Sequence, residues 1–281
     1  MIGHPISHSL SPQMHAAALA ELARGDARFA DWRYDALDVE PESLPEALSL
    51  MAALGFRGVN LTVPHKIQAV GLVSGIDPAA REAGAVNTLL LEDGKWRGFN
   101  TDGYGLAAGI REDLGLGLGG TPVVLVGAGG AARGAAVECL RQGCAELWVV
   151  NRSRQNLDAL LALLAPLAGK IPVHGAVSGA APVACSPGAL VINATSAGLR
   201  ASDPAPLDLG SVPSARAVFD MVYNPPETRL LARARSLGLP ASNGLAMLVH
   251  QGAKALEIWS GIPAARTAPF MRAAAAKALG S

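Results

Sequence analysis

The stretch Val123-Val124-Leu125-Val126-Gly127-Ala128-Gly129-Gly130-Ala131-Ala132-Arg133 decides the fold. A short apolar run, mostly β-branched and ended by glycine, reads as a strand buried on both faces. The glycines follow where a backbone must turn sharply and lie close to an anion. A helix over Ala131–Gln142 then presents its N-terminal amides to the same point. Ala132 stands at the third glycine position of Gly-x-Gly-x-x-Gly, a replacement the fingerprint tolerates. The pattern predicts a dinucleotide-binding strand–turn–helix.

The next strand, Leu147–Val150, runs into Asn151-Arg152-Ser153-Arg154. A site for NAD usually carries Asp or Glu here to hold the ribose 2′-hydroxyl. An amide, a hydroxyl and two forked guanidinium groups suit the 2′-phosphate of NADP instead. Further strands are expected at Ala189–Asn193 and Ala217–Val222, and closing helices at Gly244–Trp259 and Ala268–Ala278. Upstream, a glycine-rich spacer at Leu114–Gly120 resets the pattern, so this unit begins near residue 104. Before it, Val59–Val63 and Thr88–Leu91 read as strands, and Pro12–Leu22 and Glu42–Leu54 as helices. The alternation predicts β-α units over a parallel sheet, an α/β fold. Only Met1 and Ile2 precede the Gly3-His4-Pro5 turn, so the strand expected there is either a stub or begins upstream.

A chain of 281 residues, half of them hydrophobic and 16% charged, has room for two cores. Lys plus Arg and Asp plus Glu stand at 23 each with no basic run, which leaves no electrostatic footprint for nucleic acid or an anionic membrane. Small molecules are the expected partners. Three cysteines without C-x-x-C spacing argue against a disulfide framework or a zinc site, and no metal is expected. The start lacks the basic and apolar regions of a signal peptide, and the longest apolar stretch, Ala159–Ala168, is too short to span a bilayer. A soluble protein of a reducing, cytoplasmic compartment is the expectation. Monomer and homodimer both remain open.

Three polar segments stand at expected helix starts. In Ser9-Leu10-Ser11-Pro12, Ser11 suits the N-cap and Pro12 the first helical position. Ser9 and Ser11 together with free amides can bind a carboxylate without a basic side chain. In Asn60-Leu-Thr62-Val-Pro-His65-Lys66, Lys66 falls in a first helical turn, where a lysine drawn into a cleft can exchange a proton with a reacting oxygen. His65 reads as structural. Asn100-Thr-Asp102-Gly precedes a helix expected to begin near Tyr104, where Asp102 alone reads as an N-cap. On the late helix Gly244, Met247 and Gln251 share a face beside an apolar stripe of Leu245, Leu248, Leu256 and Trp259.

Taken with Gly84-Ala-Val-Asn87-Thr, Asn193-Ala-Thr195-Ser, Asp220-Met-Val-Tyr223-Asn-Pro and Met247-Leu-Val-His-Gln251, these motifs resemble the shikimate dehydrogenase family along nearly the whole chain. The resemblance implies two domains: a discontinuous α/β substrate domain, residues 1–103 and 244–281, and an inserted Rossmann dinucleotide-binding domain, residues 104–243. It implies reversible reduction of 3-dehydroshikimate to shikimate with NADPH, on the route to aromatic amino acids. Lys66 and Asp102 would be the catalytic pair, and Ser9, Ser11, Thr62, Asn87, Tyr223 and Gln251 would hold the substrate. Gly127, Ala128, Gly129, Gly130, Ala131, Asn151, Arg152, Ser153, Arg154, Thr195, Met221 and Gly244 would line the NADP site. Two positions depart from the family pattern: Ala16 follows His15 where Asn is common, and Asn156 stands where a basic residue often meets the 2′-phosphate, leaving Arg154 to compensate. The rival readings are a broader quinate/shikimate dehydrogenase using NAD and a non-catalytic sensor of NADP and a metabolite. Retention of both Lys66 and Asp102 argues against the sensor, because binding alone needs no proton donor.

Overall fold

The structure, a computed structural model, describes residues 1–6, 9–179, 182–200 and 202–280. Ser7 and His8 of the first motif lie outside the described residues. The chain divides into two compact units, Met1–Gly105 with Leu248–Ser281, and Leu106–Met247. It opens with β1 (Ile2–Gly3), α1 (Ser11–Gly25), β2 (Leu37–Asp38), α2 (Leu44–Ala53) and β3 (Gly58–Asn60). Then come α3 (His65–Gln68), β4 (Gly75–Ile76), α4 (Pro78–Ala83), β5 (Thr88–Glu92), β6 (Lys95–Phe99) and α5 (Asp102–Leu114). The alternation β7 (Pro122–Val126), α6 (Gly130–Arg141), β8 (Glu146–Asn151), α7 (Arg154–Leu164) and β9 (Val173–Val177) follows. After it come β10 (Ala189–Asn193), β11 (Ala215–Asp220), α8 (Arg229–Ser236), β12 (Ala241–Ser242), α9 (Leu245–Ser260) and α10 (Ala264–Leu279).

The second unit is built on an all-parallel sheet in the order β12-β11-β10-β7-β8-β9. Val123 to Val126 in β7 are each at most 2% exposed, as a central strand covered on both faces requires. The chain winds outward from β7 through β8 to β9, then crosses back to β10. The strand order therefore reverses between β7 and β10, and in such sheets ligands bind beyond the carboxyl ends of the strands at that point. The glycine-rich turn after β7 sits there.

The first unit departs from the expected run of β-α units. Its four-stranded sheet, β3-β5-β6-β4, pairs β3 with β5 and β5 with β6 antiparallel, and only β4 with β6 parallel. The cause is local. Asp93 and Gly94 both hold positive φ, 50° and 72°, the conformation of a tight hairpin turn, so β6 folds straight back on β5. The expected N-terminal strand is two residues long, pairing with β2 and bridging to Leu61. Strand β3 ends at Asn60 because the chain turns there into α3. Helix α10 begins four residues before the expected Ala268: the Glu257 carboxylate accepts from the Ala264 amide at 2.7 Å and fixes the start upstream of Pro269.

A core of Ile2, Leu44, Leu48, Val59, Leu61, Val86, Leu89 and Trp96 fills the sheet's inner face in this unit. Trp259 of α9 lies against β3 at Gly58, its indole donating to the Leu89 carbonyl at 2.8 Å. The three cysteines are free and buried. No helix among the described residues is long and apolar enough to cross a membrane.

A β-carbon on Gly58 would stand 2.1 Å from Trp259 Nε1. Gly58→Ala should therefore destabilise the protein by about 1–3 kcal/mol through overpacking, read as a lower urea midpoint followed by Trp fluorescence. An unchanged midpoint would show that the ring moves aside without cost.

Candidate active site

In the first unit, the loops after β3, before β5 and after β6 bring three expected residues together. Lys66, in the first turn of α3, places Nζ 2.7 Å from Asp102 Oδ2, with the two side chains only 13% and 5% exposed. Asn87 Nδ2 donates to Asp102 Oδ1 at 2.8 Å, so each carboxylate oxygen has its own donor. Asn87 is itself fixed: its Oδ1 accepts from the Thr101 amide at 2.8 Å and the Thr88 hydroxyl at 3.0 Å. Asn60 Nδ2 reaches the Asn87 carbonyl at 3.2 Å and Thr88 Oγ1 at 3.0 Å. Lys66 is held from behind, its carbonyl accepting from the Val86 amide at 2.8 Å. Asp102 opens α5 as its first residue rather than preceding it, and its carboxylate is engaged by Lys66 and Asn87. The N-cap reading of Asp102 does not hold.

Nor does the N-cap reading of Ser11. Helix α1 starts at Ser11 itself, and Leu10 occupies the cap position without a side-chain bond. The Ser11 amide donates to Ser9 Oγ at 3.2 Å, so Ser9 supports the helix start while the Ser11 side chain is buried. Ser9 in turn donates to Met1 Sδ at 3.1 Å. Thr62 lies one turn before Lys66 and its amide bonds the Ile2 carbonyl. Gln251, half-buried on α9, turns its Nε2 onto the Leu248 carbonyl at 2.9 Å. His65 is buried with Nε2 against the Val39 carbonyl, the structural role expected of it.

In the second unit, Gly127 holds φ +117°, and a β-carbon there would meet the Ala194 carbonyl oxygen at 3.0 Å and Thr195 Cγ2 at 3.1 Å. Helix α6 is preceded by Gly129, an extended N-cap that supplies no side-chain bond, and a β-carbon on Gly129 would meet open space. Packing does not demand that glycine, and the first-turn amides are left without a capping side chain. A pyrophosphate fits such a turn, accepting from the amides at the positive end of the helix. Past β8, Asn151 Nδ2 bonds the Ser153 carbonyl and Ser153 Oγ caps α7. Arg154 is committed to Asp158 by two 2.9 Å bonds, whereas Arg152 is exposed and unpaired among the described residues. The expected compensation by Arg154 thus meets a competing partner, and Arg152 is the available cation. Gly244 is required by packing: a β-carbon would lie 2.1 Å from the Met221 carbonyl oxygen. Tyr223 is half-buried on the segment after β11.

Behind Thr195 and Met221 lies a buried polar cluster that the motifs contain but the sequence reading leaves without a role. Asn193 Oδ1 accepts from the amide and hydroxyl of Thr195, and its Nδ2 donates to Asp220 Oδ1 at 2.8 Å. Asp220 also accepts from the Val222 amide at 3.0 Å and the Thr228 hydroxyl at 2.6 Å.

The shikimate dehydrogenase substrate binding domain model matches residues 1–89, and the shikimate 5′-dehydrogenase C-terminal domain model matches residues 244–275. The shikimate dehydrogenase (NADP(+)) of Symbiobacterium thermophilum is 43% identical over 99% of this chain and 93% of its own length. The chain belongs to the shikimate dehydrogenase family. Among solved structures, shikimate 5-dehydrogenase of Thermus thermophilus in complex with NADP(H) and shikimate superposes with a TM-score of 0.82 at 36% identity, covering 97% of both chains. The 5-ketofructose reductase of a Gluconobacter strain reaches 0.79 at 32% identity, covering 97% of this chain and 96% of its own. Family membership accounts for the spacing of Lys66, Asn87 and Asp102. Thr88 and Thr101 lie inside the quoted motifs but join the network without a role read for them, and a lone Tyr34 carries no pattern.

Burial holds the Asp220 carboxyl above its ordinary value, against donation from Thr228, Val222 and Asn193. A pKa raised on folding contributes stability that is full below the unfolded value, about 4 for Asp, and is lost as pH rises through the folded one. Asp220→Asn can accept from Asn193 and Val222 and donate to Thr228, so it should remove that loss. Urea midpoints of both proteins from about pH 4 to about pH 8 measure it, and parallel curves would contradict the assignment.

Proposed function

We propose that the chain is an NADP-dependent oxidoreductase interconverting 3-dehydroshikimate and shikimate, with Lys66 and Asp102 at the reacting ketone. The observation that carries this reading is the nearly enclosed Lys66–Asp102 pair, 2.7 Å apart. A proton donor fixed this tightly is more than binding requires. NADPH, when bound, supplies the hydride to the carbonyl carbon. Lys66 gives a proton to the carbonyl oxygen as negative charge grows there. Asp102 aims the lysine and accepts from a substrate hydroxyl, and Asn87 prevents the carboxylate from rotating away. Ser9 and Ser11 take the substrate carboxylate, so that binding energy remote from the ketone is turned into orientation. Thr62, Tyr223 and Gln251 are assigned to the remaining polar groups of the substrate.

On the same reading residues 1–103 with 244–281 form the substrate domain and residues 104–243 the NADP domain. The match of a substrate-binding model to residues 1–89 and the strand order of the second unit support that division. Gly127 to Ala131 would hold the pyrophosphate, Asn151 to Arg154 the 2′-phosphorylated ribose, and Thr195, Met221 and Gly244 the remainder of the cofactor. The preference for NADP is supported by the names of the curated relatives and by the unpaired Arg152. A cytoplasmic place of action accompanies this biosynthetic role.

Lys66→Ala should lower kcat for shikimate oxidation by about a hundredfold or more, with a much smaller change in KM. Near-normal kcat in steady-state assays would remove Lys66 from the chemistry. Arg152→Ala should raise KM for NADP by about tenfold or more and leave NAD nearly unchanged, since a charge-assisted bond to phosphate is worth roughly 1.5–3 kcal/mol. Arg154→Ala should do less, being already paired with Asp158. Equal losses for both cofactors would assign the arginine to the turn rather than to the phosphate.

A further inference from the structure

The turn Gly3-His4-Pro5 opens on a glycine whose backbone conformation does not ask for one, since its φ lies outside the left-handed region. The demand there is for space. A β-carbon on Gly3 would stand 2.3 Å from Thr62 Cγ2, 2.9 Å from Ile6 Cδ1 and 3.3 Å from the Val63 carbonyl oxygen. The Ile6 atom is the end of a flexible side chain and can move aside. The Thr62 methyl cannot move alone, because a β-branched side chain turns about χ1 as one piece. The slot over Gly3 is thus filled by the methyl of Thr62.

The backbone offers no way round this contact. Strand β1 pairs with β2 on one side, Gly3 opposite Asp38, and the Gly3 carbonyl accepts from the Val39 amide at 3.1 Å. On the other side the Thr62 amide donates to the Ile2 carbonyl and the His4 amide to the Val63 carbonyl, both at 3.0 Å. Gly3 lies between those two links, so β1 cannot back away from Thr62 without breaking them. Three staggered positions are open at χ1. In threonine the methyl and the hydroxyl occupy two of them, in an order set by the chirality of Cβ. Seating the methyl over Gly3 therefore decides where the hydroxyl stands. That hydroxyl makes no hydrogen bond among the described residues, and Thr62 is half-buried. A threonine serving only its turn would bond a nearby backbone group. This one is held in place and left unbonded.

We infer that Gly3 is a positioning residue for substrate binding: by seating the Thr62 methyl it fixes the one χ1 state in which the Thr62 hydroxyl meets a polar group of the substrate. The inference rests on the proposed assignment of Thr62 to the substrate. It also gives threonine rather than serine a reason at position 62. Serine carries the same hydroxyl but nothing to fill the slot, so its Oγ is free to drop toward Gly3 and the Val63 carbonyl that borders it.

The test compares wild type with Gly3→Ala, Thr62→Ser, the double variant and Thr62→Val. Measured quantities are kcat and KM for shikimate, KM for NADP, and Tm. Gly3→Ala forces the methyl out of its slot, so Tm should fall and KM for shikimate should rise about tenfold. Its kcat and KM for NADP should change much less, because a contact made equally to ground and transition state is lost in KM. Thr62→Ser should raise KM for shikimate about threefold, its hydroxyl being spread over three wells. In the double variant the alanine methyl takes the place that the threonine methyl vacated and closes that well to the serine hydroxyl. Its KM should fall below that of Thr62→Ser, and its Tm should rise above that of Gly3→Ala. The same glycine-to-alanine change then harms binding beside threonine and helps it beside serine, a reversal that a merely structural glycine does not produce. A double variant with KM at or above that of Thr62→Ser, or no more stable than Gly3→Ala, would overturn the proposal. So would wild-type KM in Thr62→Ser or in a folded Gly3→Ala. Should Gly3→Ala not fold, Thr62→Ser and the double variant still decide it. Thr62→Val separates the two levels, since it keeps a methyl in the slot and removes the hydroxyl. Wild-type KM there defeats the assignment of Thr62 to the substrate, whereas a raised KM with no reversal in the double variant defeats only the role of Gly3.

Discussion

An ammonium and a carboxylate held 2.7 Å apart with almost no exposure is the constraint around which the first unit is arranged. Removing two charges from water costs several kcal/mol per ion, and their attraction offsets this only with good geometry and further donors. The surroundings of Asp102 supply both. Each of its oxygens has a donor, and Asn87, which supplies one of them, is locked by bonds to both of its own ends. The β5–β6 register pairs Thr88 with Phe99, which sets Asn87 beside Thr101 and Asp102. That register follows from the tight Asp93-Gly94 turn. The polar pair thus depends on a hairpin whose turn lies at the far end of the same two strands.

The second unit solves a different problem by different means. Its glycine-rich turn is made of backbone, and what matters there is the absence of side chains. Gly127 and Gly244 sit where a β-carbon would strike a main-chain oxygen, Ala194 in one case and Met221 in the other. The loops that carry those oxygens are fixed in turn by Asn193 and Asp220. Because Asp220 is wholly enclosed, its three donors are what make a carboxylate tolerable at that depth.

Legibility in the sequence followed the same split. The glycine-rich turn, the strands around it and the parallel sheet are all readable, since apolar runs and glycines report directly on burial and backbone conformation. Ala189–Asn193 appears with the bounds that the pattern gives, and the strand read from Val123 to Val126 begins one residue earlier, at Pro122. The first unit is less readable because its sheet is mixed and its strands are short. The Asp93-Gly94 signal lay open to a hairpin reading, and the alternation of β-α units hid it. In the candidate site, Lys66, Asn87 and Asp102 are recognisable by motif. The hydroxyls of Thr88 and Tyr34 are not, because their roles depend on partners 13 or more residues distant, such as Thr101 and Asn60. Ser9 and Ser11 are legible as a pair, but spacing alone does not say which hydroxyl accepts the helix amide.

These two modes of construction bear on how the fold accommodates different chemistries. A backbone cradle tolerates almost any side chain elsewhere, and near the turn after β8 the exposed Arg152 stands beside Arg154, which is already paired with Asp158. The first unit joins polar side chains end to end, where a hydroxyl lost at one link leaves a buried partner unsatisfied. A 5-ketofructose reductase superposes on this chain with a TM-score of 0.79 at 32% identity, so the scaffold persists across that sequence distance.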